Sequence, residues 1–342
     1  MKTKANTRRR LAGLLLGSLL CCAPALADDA CHPAKPPSTA YGANPIMTYM
    51  IAAIAPDKLA GWNFAPPPQA RGIFPEALIA RPVLGGWFGQ GQVPNLESLA
   101  ALHPDVTLVS GVTVGTDRSR PVLERLGLPA CEIRIDRVQD YPHAFRLAGQ
   151  ALGVPERGEA LGAYAQTLLD ALEQARAGWR SPAPRLYYAE GPDGLATECE
   201  GSIHAEVLAL AGGSNVHTCP VEAGKDRFGM LRIDFEQLLR YDPDWIVTQE
   251  KEFVNKLRKD TRWKNLRAVR EGRVLLMPQA PFRWMDRPPS YMRLLAAHWL
   301  AQRIHPESSV LDLRATTREF YRLFFATALD EPALDSLLSP EH

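Results

Sequence analysis

The chain has 342 residues, with 39 Lys+Arg against 38 Asp+Glu. Five of the basic residues and no acidic one fall in the first 27, so the remainder carries 34 against 38 and sits near −4. That balance excludes a basic nucleic-acid footprint, and beyond the first apolar run no stretch is long enough to span a membrane.

Lys2, Lys4 and Arg8–Arg10 precede the apolar run LAGLLLGSLLCCAPA, and Ala25-Leu26-Ala27 closes it with small residues at cleavage spacing. Residues 1–27 therefore read as a secretory signal, removed before Asp28, and the expected compartment is the periplasm. Cys21 and Cys22 lack the small residues before them that a lipid anchor needs. Cys31, Cys131, Cys199 and Cys219 remain, in a compartment that permits disulfides. Four cysteines allow three complete pairings, and the sequence does not choose among them. Cys131 reads as a buried thiol or a staple to Cys31. Cys199 and Cys219 read as a loop closure or a thiolate metal site.

Residues 28–45 form an irregular lead-in, and Ile46 to Ile54 is a short buried element. The Pro- and Gly-rich stretch from Phe64 to Gly91 reads as a long loop of the kind that carries function. In NLESLAALHPD, Asn95 is a natural cap and Leu96, Leu99 and Leu102 recur at helical spacing. VTLVSG is a buried strand, and VLERLGLPACEIRI repeats helix, turn and strand. Such repetition predicts a mostly parallel sheet covered by helices. Tyr141 to about Arg180 has no strand signal and should be helical, with a break near Gly153–Pro155. A helix over Glu156–Trp179 would reach ~35 Å, enough to cross between two lobes. PRLYYAEG opens a second α/β unit. Ser202 starts a helix that runs through Glu206 to Ala211. FEQLLRYDPDWIVTQ and WKNLRAVREGRVLLMP give two more helix–strand units. RPPSYMRLLAAHWLAQRIHP and TTREFYRLFFATAL are helices. The expected class is α/β: an N-terminal lobe over 28–140, a helical linker over 141–183, and a C-terminal lobe with its tail helix over 184–342.

NLESLAALHPDVTLVSG and DFEQLLRYDPDWIVTQ resemble the paired helix-then-PD-strand segments of periplasmic substrate-binding proteins. Those proteins serve ABC importers for iron–siderophore complexes, cobalamin, haem and related metal chelates. WKNLRAVREGRVLLMPQAPFRWMDRPPSYMRLLAAHWLAQRIHP is similar to their C-terminal signature. YYAEGPDGLATECEGSIHAEVLALAGGSNV resembles a branch implicated in iron, nickel-chelate and molybdate uptake. The resemblance covers about residues 45–308. It implies two Rossmann-like lobes bridged by one long α-helix, with ligand held in the cleft between them. It also implies a cognate ABC permease and ATPase as partners, no permanent cofactor, and a transported ligand that contains a metal.

By position in that scheme, the cleft loops lie near Pro45–Met47, Trp62–Asn63 and Trp87–Gln90 in the first lobe. In the second they lie near Tyr188–Ser202 and Arg283–Arg287. The ligand-binding candidates are Trp62, Asn63, Trp87, Phe88, Tyr188, Arg283, Trp284 and Arg287. Aromatic rings could stack on a chelate, and arginines could bond an anionic one; the same rings could equally fill the core. Glu198 and His204 are candidate metal ligands, since carboxylate and imidazole suit zinc, nickel or copper. Glu97 and Glu206 match the segments that dock on the permease. The favoured ligand is a ferric siderophore-like complex. A nickel–histidine chelate, a molybdate-type oxyanion and a non-transport periplasmic metal chaperone are the alternatives. An enzyme is not expected: G-x-S-x-G and H-E-x-x-H are both missing.

Overall fold

The computed structural model describes residues 31–89, 91–111, 116–179, 181–219 and 230–339. The expected signal segment and Gln90 lie outside the described residues. The first lobe is built on a parallel sheet in the order β1 (Ala40–Gly42), β2 (Val106–Ser110), β3 (Ala130–Ile133). Its helices are α1 (Pro45–Ile54), α2 (Glu76–Ile79), α3 (Leu96–Leu102) and α4 (Thr116–Arg125). The buried stretch expected from Ile46 is therefore a helix, and every residue of α1 is buried. Asn44 starts it by accepting a hydrogen bond from the Met47 amide, which satisfies an otherwise orphan first-turn donor.

The second lobe carries β4 (Arg185–Ala189), β5 (Ala196–Thr197), β6 (Ser214–Asn215), β7 (Leu231–Arg232), β8 (Trp245–Thr248) and β9 (Val274–Leu276). Four of them form a parallel sheet in the order β6-β4-β8-β9, while β5 and β7 pair antiparallel.

Between the lobes run α5 (Tyr141–Ala151) and α6 (Pro155–Arg176), with the break where Gly153 and Pro155 predict it. At 22 residues α6 is about 33 Å long. Leu161, Ala165, Leu168 and Leu172 recur along one face of it and are buried. The two helices meet at Gly149 and Gly158. A Cβ on Gly149 would stand 2.7 Å from the Gly158 Cα, so only glycine permits that approach.

The second lobe continues with α7 (Glu206–Leu210), α8 (Phe235–Tyr241), α9 (Lys251–Leu257), α10 (Arg267–Arg270) and α11 (Met292–Ile304). The helix expected from Ser202 begins only at Glu206. The Ser202 hydroxyl bonds Glu198 and its oxygen accepts the His204 amide, a local side-chain turn that competes with helix. The chain ends in α12 (Leu313–Phe325) and α13 (Glu331–Leu338). The tail returns to the first lobe as well as the second: α12 packs on both α1 and α11. No described helix is long and apolar enough to cross a membrane.

The helix-then-PD-strand repeat is a structural repeat. Asn95 caps α3 by accepting from Ser98 N, and Asp234 caps α8 by accepting from Gln237 N. The fourth helical residue of each, Leu99 and Leu238, is fully buried. Each helix stops at a left-handed residue, His103 at φ 46° and Asp242 at φ 36°. Asp105 and Asp244 then accept backbone amides from the neighbouring segment, at Thr39 and Arg185. These bonds place the starts of β2 and β8 in register.

Candidate ligand site

Ligands of open parallel sheets bind beyond the carboxyl ends of the strands. In the second lobe those ends deliver Glu190, immediately after β4, and Gln249, immediately after β8. The loop after β9 folds back over them and brings Asp286 and Arg287. Gln249 anchors this loop: its Oε1 accepts Met285 N at 3.1 Å and Asp286 N at 3.2 Å. Its Nε2 donates to Tyr188 OH at 2.9 Å and to Asp286 O at 3.1 Å.

The result is a buried carboxylate floor under two half-exposed nitrogen bases. Arg287 Nε donates to Glu190 Oε1 at 2.7 Å, and Nη2 donates to Glu198 Oε1 at 2.6 Å. Asp286 accepts from His204 Nδ1 through Oδ1 and lies 3.4 Å from Arg287 Nε through Oδ2. The Ser202 hydroxyl donates to Glu198 Oε2 at 2.9 Å. Glu198 and Asp286 are fully buried and Glu190 nearly so, whereas Arg287 is 31 % and His204 17 % exposed at the side chain. Arg287 sits at φ +57°, a sparsely populated region for a bulky residue that needs support from its surroundings.

Charge follows from this geometry. Burial opposes a charged His204, but the Asp286 hydrogen bond and the nearby carboxylates outweigh it, and its pKa rises. Burial likewise opposes the Arg287 charge, and Glu190 and Asp286 more than restore it. Burial pushes the Glu190 carboxyl up to about 7, against the pull of Arg287. Two atoms of the pair, Arg287 Nη1 and His204 Nε2, have no partner among the described residues. The floor thus holds two donors in place and leaves one nitrogen of each uncommitted. The three floor carboxylates also bring oxygens within 4.8 Å of one another.

Several expected site residues go elsewhere. Trp62 is 1 % exposed and its Nε1 donates to Leu78 O, inside the main core. Trp87 packs in the outer core of the first lobe with Tyr41, Leu84 and Leu99. Trp284 is fully buried and bonds Ala280 O. Tyr188 is buried under the carboxylate floor, with its hydroxyl on Gln249. Asn63 is buried and ties Gly42 O to Gly85 O. Phe88 alone of the ring candidates is half-buried, against Phe64 at 5.8 Å. Arg283 is held by both oxygens of Glu250.

Cys199 and Cys219 are joined, as are Cys31 and Cys131. The first pair therefore offers no thiolates beside His217, which corrects the thiolate-site expectation. Glu206 faces inward: it accepts from Val138 N at 3.0 Å and from the fully buried Arg293 at 2.7 Å. Glu97 lies on an exposed helix turn. Glu190 and Asp286 lie inside the expected cleft loops but were not singled out, although one directly follows a strand and the other precedes Arg287.

Two parallel-sheet lobes, one bridging helix and a polar rim at the strand ends define a two-lobed solute receptor. Residues 87–281 match the family model described as periplasmic binding protein, and the chain belongs to that family. It is 35 % identical to an ABC transporter solute binding protein from Sulfurospirillum deleyianum, covering 89 % of this chain and 94 % of that one, with TM-score 0.81. It is 25 % identical over 260 residues to the molybdate-binding protein MolA of Haemophilus influenzae, covering 68 % of this chain and 70 % of MolA. The fold of molybdate-bound MolA superposes with TM-score 0.69 at 20 % identity, over 86 % of this chain and 94 % of MolA. The chain is thus a periplasmic transport receptor and not an enzyme.

Proposed function

We propose that this receptor captures a compact metal-centred ligand, a molybdate-type oxyanion first, and delivers it to an ABC permease. The observation that carries the reading is the pair of uncommitted donors, Arg287 Nη1 and His204 Nε2, fixed on a buried carboxylate floor. Fixed cationic donors suit an oxyanion, because charge-assisted bonds to it need no reorganisation. The likeness to MolA points the same way. The burial of Trp62, Trp87, Tyr188 and Trp284 removes most of the aromatic wall that a bulky siderophore would use. Calorimetry of the purified chain with molybdate, a nickel–histidine complex and a ferric catecholate tests the choice. Molybdate should bind most tightly. Arg287→Lys keeps the charge but loses the fork, and should weaken molybdate by about 10- to 150-fold, the worth of one charged hydrogen bond. Equal affinity in that folded variant sinks the reading.

A nickel–histidine-type complex is the second reading, and one observation favours it. His204 Nδ1 is turned to Asp286, the arrangement in which a carboxylate orients an imidazole whose Nε2 meets a metal.

For the partner, we infer that Glu97 and Glu236 are the docking carboxylates. Both are exposed and both are the second residue of their helix in the structural repeat. Glu206 spends its carboxylate on Arg293 and Val138.

A further inference from the structure

A cavity of about 530 Å³ is lined by none of the rim residues Glu190, Glu198, His204, Asp286 and Arg287. That is within the usual range of small-molecule sites. Three segments build its walls: the first-lobe turn at Gln69–Ile73, the second-lobe residues Lys251 and Met277–Ala280, and the tail from Thr327 to Leu337. Two hydrogen bonds fix these walls to one another. Thr327 Oγ1 donates to Ile73 O at 2.6 Å, and the Tyr321 hydroxyl donates to Ala280 O. The cavity is therefore formed by the fold itself.

Two cations, Arg71 and Lys251, and one carboxylate, Asp330, line it. Arg71 enters from the first lobe and Lys251 from the second. Neither side chain has a partner among the described residues. The acids around it have bonds of their own, although Asp330 keeps its charge. Glu250 holds Arg283 with both oxygens. Asp330 accepts the Ala333 amide at 2.8 Å to cap α13. Glu331 pairs with Arg314 and Arg318, and Asp335 with Arg314. The rest of the lining mixes apolar Ile73, Met277 and Leu329 with polar Gln69, Gln279 and Ser336. A cation from each lobe beside apolar side chains fits a ligand with an apolar body and more than one negative charge.

We propose that this cavity is a second binding site, for a small organic polycarboxylate that touches both lobes at once. It shares no lining residue with the oxyanion rim, so the two can be tested separately on the same full-length mature chain. The probe is phthalate, a rigid aromatic dicarboxylate, and its neutral dimethyl ester is the control. Calorimetry should show phthalate binding and much weaker ester binding. Arg71→Ala and Lys251→Ala should each weaken phthalate about tenfold. Ala333 is exposed on the cavity wall, so Ala333→Trp should fill the space and abolish phthalate binding with the melting curve intact. Molybdate affinity should stay unchanged in all three variants. No phthalate binding up to ~10 mM, ester binding as tight as phthalate, or full affinity in Ala333→Trp would each overturn the proposal.

Discussion

Arg287 and His204 share one carboxylate, that of Asp286, so a change at any of the three is felt by the other two. A pH series separates the two ligand readings. An oxyanion needs imidazolium, so its affinity should fall as pH rises through the elevated His204 pKa. A metal ligated by Nε2 needs neutral imidazole, so its affinity should rise over the same range. Calorimetry from about pH 6 to about pH 9 reads the sign directly. Glu190 adds a stability effect of known direction. Its folded pKa, about 7, exceeds the 4.5 of an ordinary glutamate. The folded state therefore holds the proton more tightly. The stabilisation is complete below about 4.5 and is lost as pH rises through about 7. Relative to Glu190→Gln, the wild-type melting temperature should drop between pH 5 and about pH 8. A parallel pair of curves would show that Glu190 titrates in the folded chain as it does unfolded. Arg287, Glu198 and His204 were singled out in the sequence by their place in the family's cleft loops and by their donor chemistry, and the fold brings the three together. The burial of Trp62, Trp87 and Trp284 was not legible there. A tryptophan beside glycines in a loop looks alike whether its ring faces a cleft or a core. Only the acceptors at Leu78 O and Ala280 O decide it for Trp62 and Trp284.

At the scale of elements, the helix-then-PD-strand repeat was readable because its punctuation is local. A capping Asn or Asp, a buried leucine four residues on, a left-handed stop and a proline recur in α3 and α8. The repeat also bears on the proposed docking carboxylates. Glu206 matches by segment, but α7 begins at Glu206 and turns its carboxylate to a buried arginine. Glu206→Ala should strand the fully buried Arg293, and removing one partner of such a pair costs about 3–5 kcal/mol. Denaturant unfolding measures it; a change under ~1 kcal/mol would mean that the pair is not a structural tie. Glu236→Lys should behave in the opposite way. It should leave stability and molybdate affinity intact and reduce capture by the cognate permease, since one repulsive charge replaces one attractive charge at the contact. Undiminished capture by the permease, measured with Glu97→Lys as the reference, would return Glu236 to the ordinary solvated surface.

The largest of three buried clusters runs through both lobes. It includes Ile46 and Met50 of α1, Leu161 and Leu168 of α6, Tyr188 and Val247 of the second sheet, and Phe324 of α12. Rings stitch the parts together. Tyr49 stacks on Phe282 at 3.9 Å, Phe145 meets Tyr291 at 5.6 Å, and Phe74 meets Phe325 at 5.5 Å. A large apolar interface of this kind opposes the free relative motion that separate domains show. The stiffness of this receptor thus comes from packing as much as from the single bridging helix. Phe282 is the sharpest test, because it touches the first lobe through Tyr49 and Phe74 and the tail through Phe325. Phe282→Ala should cost about 3–5 kcal/mol, the range for emptying a buried aromatic site. Because the core is shared, unfolding should remain a single transition in which probes of both lobes move together. Two separated transitions in the wild-type chain would show instead that each lobe melts on its own. The rings would then be contacts between independent domains.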